Sequence, residues 1–208
     1  MAEVKQRCRL YLQVPAQVSA KLETQLARVI ASTDAACALL SIAGETLNET
    51  DAGRLIDLVQ AHGLACLVEN DIALAERLGA DGVHIAADPA LYAESRKRLG
   101  ENASIGVDCG LNRHAAMHLA EQGADYVAFG AGSEIDAINQ RAELIAWWAE
   151  IFVVPCVAWN VDSAEEAGRL AALGADFVAL SASIWHHDDA TRLIADIDSA
   201  VRQARRAA

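Results

Sequence analysis

A chain of 208 residues, 53% of them hydrophobic, can bury one large core and is too apolar for a disordered chain. Its formal charge of −12 argues against binding nucleic acid or anionic membranes, which are attracted by clustered Lys and Arg. No apolar run reaches the roughly 18 residues of a membrane span, and "MAEVKQRCRL" lacks the apolar core of a secretory signal, so the expected location is the cytoplasm and the expected partner a small molecule.

Apolar runs with strand character fall at 8–14, 36–42, 64–69, 81–85, 104–108, 125–129, 152–158 and 176–181. Between them stand helical spacings such as Ala52, Leu55, Ile56 and Val59, and Ala164, Ala167, Gly168 and Ala171; a final amphipathic stretch carries Leu193, Ile194, Ile197 and Val201. The tripeptide Gly-Ala-Asp begins at Gly79, Gly123 and Gly174, each time just before an apolar run. Glycine supplies the left-handed residue that ends a helix, so each copy reads as a helix-to-strand seam. Ser163 with Glu166 forms a capping-box pattern, and Asp88 with Pro89 reads as an N-cap and first helical residue. Eight strands alternating with eight helices, without a Pro- or Ser-rich linker, predict one (β/α)₈ TIM barrel spanning 1–208; a doubly wound open sheet is the runner-up.

The five cysteines, Cys8, Cys37, Cys66, Cys109 and Cys156, are scattered with no CxxC pair, which suits small buried side chains better than a zinc site or disulfides. Asn70, Asp71 and Asp88 follow strands and can be read as helix caps or as ligands. His84 lies within an apolar strand, where a hydrogen-bonded core histidine competes with a reaction centre. His114 and His118 stand at i, i+4 on a helix, and His186-His187 with Asp188-Asp189 follows the eighth strand; both read first as solvated polar surface.

The segments "LVENDIALAERLGADGVHI", "IGVDCGLNRHAAMHLAEQGADYVAFG", "VPCVAWN" and "GADFVALSASI" together resemble the thiamine phosphate synthase family, from about Leu64 to Ile184. The resemblance implies a barrel that joins hydroxymethylpyrimidine pyrophosphate to a thiazole phosphate with Mg²⁺, expelling pyrophosphate. It implies that Asp71 is a metal-binding aspartate with Asn70 beside it, that Asp88 lies near the second metal-binding aspartate, and that Ser181 or Ser183 helps to seat a phosphate. His84, Asp108, Trp159 and Asn160 fall at positions of the family pattern that border the substrates.

Several residues depart from that pattern. The family's Gln-x-Arg-x-Lys after the second strand is replaced by "ALLSIAGET"; Ile72 follows Asn70-Asp71 where Arg is usual; Asp108 stands in place of a serine. The Thr- and Lys-containing loop after the sixth strand reads "GAGSEIDAINQ", and a double glycine after the seventh is Trp159-Asn160, so that an indole is expected to close the phosphate pocket and leave the ligand space nearer strands three to five. The expected rim gathers Glu45, Glu69, Asp71, Asp88, Asp108, Glu134, Asp136 and Asp162 with no strand-end Lys or Arg. Phosphoryl sites normally use such cations to stabilise developing charge. The reading is therefore a diverged member of the family whose reaction is altered or lost, using Mg²⁺ if it is active. The alternative is a noncatalytic barrel that binds a small molecule or a protein, and a homo-oligomer in which a second copy supplies Arg or Lys stays open.

Overall fold

Alternate residues of each strand point to opposite faces, and here both faces are apolar over most of their length. One set, including Leu10, Leu12, Ala38, Leu40, Val68, Val83, Ile85, Ile105, Val107 and Val127, packs under the helices. The other set, Tyr11, Leu39, Leu67, Tyr126, Ala128, Val157, Trp159 and Ala179, forms a smaller separate cluster. Strands buried on both faces belong to a parallel sheet covered by helices.

The computed structural model describes residues 7–15, 17–42, 48–130 and 132–204. The elements are β1 (Arg9–Pro15), α1 (Ala20–Ser32), β2 (Ala35–Ser41), α2 (Glu49–Ala61), β3 (Ala65–Glu69), α3 (Ile72–Leu78), β4 (Gly82–Ala86), α4 (Pro89–Leu99), β5 (Ser104–Asp108), α5 (Arg113–Glu121), β6 (Tyr126–Gly130), α6 (Ile135–Ile151), β7 (Cys156–Val161), α7 (Ala164–Leu173), β8 (Phe177–Leu180), a 3₁₀ turn (Ala182–His186) and α8 (Ala190–Gln203). Each strand pairs in parallel with the next, and β8 closes on β1 from Arg9↔Phe177 to Leu12↔Leu180. The closed barrel confirms the expected (β/α)₈ architecture and excludes the open sheet. Among the described residues no helix is long and apolar enough to cross a membrane.

One expected strand starts late. The run from Phe152 enters β7 only at Cys156. Phe152 ends α6, its N–H donating to the Trp148 carbonyl at 2.9 Å, and its ring stacks on Trp148 at 4.0 Å. The Trp148 Nε1–H donates to the Val154 carbonyl at 2.7 Å, while Val153 is 95% exposed. Local aromatic packing overrides the β preference of this segment.

The recurring Gly-Ala-Asp is explained by what its aspartate does. Gly79, Gly123 and Gly174 have φ of +66°, +100° and +111°, the left-handed conformation that ends the preceding helix. Each aspartate then grips the neighbouring strand twice. Asp81 donates its N–H to the Cys66 carbonyl and accepts the Cys66 N–H on Oδ2 at 2.7 Å. Asp125 does the same with Ile105, accepting at 2.7 Å, and Asp176 with Cys156, accepting at 2.9 Å. The motif thus clasps β3 to β4, β5 to β6 and β7 to β8 at the N-terminal end of the barrel.

The barrel interior is fitted around aromatic rings. A Cβ on Gly106 would fall 1.8 Å from the Tyr126 ring, so only glycine lets that tyrosine cross the interior. Four of the five cysteines are buried and Cys37 is half-buried, as expected for small apolar side chains.

Asp125→Ala should remove the partner of the Ile105 N–H and lower the free energy of unfolding by about 1–3 kcal/mol, the penalty of an unsatisfied group at a buried strand. Urea denaturation would measure it. A change of less than about 0.5 kcal/mol, typical of neutral surface substitutions, would show that the clasp is dispensable.

Candidate functional site

At the C-terminal end of the barrel the inward-facing row turns polar. Continuing the inward phase of Tyr11, Leu39 and Leu67 leads to Gln13, Ser41 and Glu69, and the last residue of β5 in that phase is Asp108. These four side chains, with Trp159, Asn160 and Ser181, line a cavity of about 480 Å³ that Gly110, Gly130 and Ala182 complete. A second hollow of about 330 Å³, bordered by Ile42, Glu69, Asn70 and Asp71, adjoins it through the shared Glu69. The strand C-terminal rim is where barrels of this type place their chemistry.

Among the described residues, the two ionisable side chains lining the larger cavity are acids. Glu69 Oε2 accepts from the Ser41 hydroxyl at 2.7 Å and from the Ile42 N–H at 3.0 Å, which fixes it at the mouth. Asp108 Oδ1 accepts the Gly110 N–H at 3.0 Å. Desolvation raises the Asp108 pKa above the ordinary carboxylate value; the Gly110 hydrogen bond opposes the rise and the charge of Glu69 adds to it. The side chain nonetheless keeps an open face to solvent.

The end of β7 carries the most unusual backbone. Its register with β8 shifts between Ala158 and Val161, and Asn160 sits at φ +57°. This left-handed conformation is one that glycine adopts freely and asparagine tolerates. Asn160 thus has a glycine-like backbone and carries a carboxamide, whose Oδ1 accepts from Gln13 Nε2 at 2.9 Å. Behind the bulge lies Arg141 of α6, only 2% exposed. Its Nη1 donates to the Trp159 carbonyl at 2.8 Å and its Nη2 forms an ion pair with Glu166. Desolvation lowers the Arg141 pKa, and the Glu166 charge opposes that shift.

Trp159 turns inward. It is 6% exposed, stacks on His84 at 4.1 Å with an interplanar angle of 18°, and meets Tyr11 edge-on at 5.3 Å. It floors the cavity. The space above it draws on β1, β2, β3, β5, β6, β7 and the segment after β8, while the smaller hollow lies at the end of β3, among the strands near which the sequence placed the ligand space. Below the indole, His84 Nδ1 and the Tyr126 hydroxyl are 3.0 Å apart, and the Tyr126 and Tyr11 hydroxyls 2.8 Å. His84 is 2% exposed and Nε2 is buried with no partner. Desolvation lowers its pKa to about 3, so the imidazole is neutral at physiological pH.

The remaining expected residues are dispersed around the rim. Asp71 and Asp108 lie at the same end of the barrel. Asp71 Oδ1 caps α3, accepting the Leu74 N–H at 2.8 Å, and the residue also borders the smaller hollow. Asn70 has φ +51° and its Oδ1 accepts the Ala86 N–H at 3.0 Å, tying the end of β3 to β4. Asp88 caps α4 through the Ala90 and Leu91 N–H groups and borders neither hollow. Ser181 reaches the larger cavity; Ser183 bonds its hydroxyl at 2.8 Å from outside the lining. Trp185 fills space beneath the 3₁₀ turn, donating to the Gln13 carbonyl at 2.6 Å. His114 and His118 are parallel exposed rings, and among the described residues no three His, Cys, Asp or Glu side chains group to hold a metal ion. Glu45 lies outside the described residues. Sequence reasoning missed Gln13, Ser41 and Arg141. For the first two the available signal was a polar residue in the inward phase at the end of an apolar strand.

The depressed His84 pKa has a definite sign. Below the ordinary imidazole value of 6.5 the unfolded chain takes up a proton that the folded chain refuses. The stability present above pH 6.5 is lost as pH falls toward 3, by roughly 1.4 kcal/mol per pH unit. Between about pH 6 and 4, wild-type unfolding free energy should fall that much more steeply than that of His84→Gln. Parallel curves in urea denaturation would contradict the assignment.

The family profile described as thiamine monophosphate synthase matches residues 12–184. The thiamine-phosphate synthase of Erythrobacter litoralis is 37% identical over 199 residues, covering 91% of this chain and 93% of that protein. That of Rhodospirillum centenum is 37% identical over 187 residues, covering 86% and 90%. Among solved structures, thiamine phosphate pyrophosphorylase from Pyrococcus furiosus superposes with a TM-score of 0.77 over 97% of this chain and 99% of that one; at 16% identity it speaks for the fold alone. With the profile covering most of the barrel and relatives this similar over nearly their whole length, the chain belongs to the thiamine monophosphate synthase family.

Proposed function

We propose that this chain keeps the family's small-molecule site at the barrel mouth but carries out the coupling of hydroxymethylpyrimidine pyrophosphate with thiazole phosphate slowly or not at all. One observation carries the reading: among the described residues, the ionisable side chains lining the cavity, Glu69 and Asp108, are both carboxylic acids. The nearby buried cation Arg141 is engaged by Glu166 and the Trp159 carbonyl. Pyrophosphate departure builds negative charge, and removing a single preorganised donor for such charge lowers rates by about 10²–10³-fold.

Mg²⁺ would offset part of this deficit. The smaller hollow has the hard oxygen donors that suit the ion, which binds through one or two carboxylates, waters and substrate phosphates. Asp71, with Glu69 beside it, would hold Mg²⁺; Asp88 borders neither hollow. When bound, the ion would neutralise phosphate oxygens. The residues of this chain do the rest: Trp159 floors the cavity, the Gln13–Asn160 amides and Ser181 offer neutral hydrogen bonds, and Asp108 supplies an acceptor.

The purified chain, supplied with both family substrates and Mg²⁺, should form thiamine phosphate at least about 100-fold more slowly than the Erythrobacter litoralis synthase under the same conditions. Turnover that matches that enzyme and is abolished by Asp71→Ala would restore the synthase reading. Absence of turnover together with ligand binding at the mouth would favour a noncatalytic binding barrel.

A further inference from the structure

The mouth cavity combines three kinds of surface. Its floor is the indole of Trp159, with one face taken up by His84 stacking and its accessible part on the cavity. Across the opening stand Glu69 and Asp108, whose charges act on each other. Beside them is the Gln13–Asn160 amide pair: Gln13 Nε2 donates to Asn160 Oδ1, which leaves Gln13 Oε1 to accept and Asn160 Nδ2 to donate. An aromatic face attracts cations, carboxylates pair with them, and an amide pair reads the hydrogen-bonding edge of a heterocycle. The volume of about 480 Å³ suits a small organic ligand.

The same surroundings are hostile to a phosphate group. Arg141 approaches from the helix side and is engaged by Glu166 and the Trp159 carbonyl. The start of α7 carries Glu165 and Glu166 in its first turn, and Ser163 already caps the Glu166 N–H. His84 stays neutral and adds no positive charge.

We propose that the mouth cavity takes a planar, cationic nitrogen heterocycle that carries no phosphate, held over Trp159, neutralised by Asp108 and Glu69 and oriented by Gln13 and Asn160. This rests on the reading of the mouth as a ligand site and narrows it to a substrate class with charge opposite to that of the family's phosphorylated reactants.

The test is a calorimetric titration of the full chain, without Mg²⁺, using thiamine and thiamine phosphate, a matched pair differing by the phosphate, and the neutral hydroxyethyl thiazole. Thiamine should bind about tenfold more tightly than either of the others, and Asp108→Asn should weaken thiamine about tenfold while improving thiamine phosphate. Thiamine phosphate binding as tightly as thiamine, or Asp108→Asn leaving thiamine affinity unchanged, overturns the charge assignment while leaving the mouth a ligand site. Binding by none of the three probes removes the ligand-site reading itself, and this inference with it.

Discussion

The two-point aspartate clasp sets the frame on which the rest of the barrel is hung. A parallel pair has evenly spaced, slanted hydrogen bonds and little in its backbone to stop one strand slipping along the other. Asp81, Asp125 and Asp176 supply that stop, each joining one residue of the preceding strand through both its backbone N–H and its carboxylate. Hydrogen bonds to a charged acceptor contribute about 1.5–3 kcal/mol each. Because slippage by one residue would exchange inward and outward faces, fixing the strands at their N-terminal ends also fixes which side chains emerge at the other end. Asp108, Gly130 and Trp159 line the rim as a consequence of contacts made on the far side of the barrel.

That frame was legible in sequence because it is built from local rules. A left-handed glycine, a cap and an apolar run of strand length each announce themselves within a few residues, which is why all eight strands are legible in the sequence. The start of β7 was misplaced because Phe152, Val153 and Val154 look like a strand locally, and only the packing of Phe152 on Trp148 removes them from it. The site was less legible for a related reason. Gln13 and Asn160 lie far apart in the chain, and nothing in the sequence announces that closing β8 on β1 brings their amides into contact. Arg141 sits on a helix, and its partner Glu166 belongs to the next helix, so the sequence pattern of strand ends passes over it.

Asn70, Asp71 and Asp88 show a different limit. Each makes local hydrogen bonds that a structural role would require: a β3–β4 tie, the cap of α3 and the cap of α4. A carboxylate has two oxygens, so capping through Oδ1 does not prevent Asp71 from presenting Oδ2 to the hollow that it borders with Glu69. Structural and binding roles are compatible in that one residue. Asp88 has the first role and no neighbouring cavity in which to exercise the second.

The β7 bulge ties the aromatic interior of the barrel to its mouth. Asn160 takes the left-handed backbone that glycine adopts freely, which sets the chain path around the mouth. At the mouth an indole fills the interior above His84, and the Asn160 carboxamide forms a hydrogen-bonding pair with Gln13. The interior below needs this filling, because Gly106 and Ala128 are small and the rings of Tyr11, Tyr126 and Trp159 occupy the barrel in their place. Interior packing and the shape of the cavity are therefore coupled at Trp159. A smaller residue that widens the cavity also opens the aromatic interior, so such a change at this position would require the column beneath it to be repacked as well.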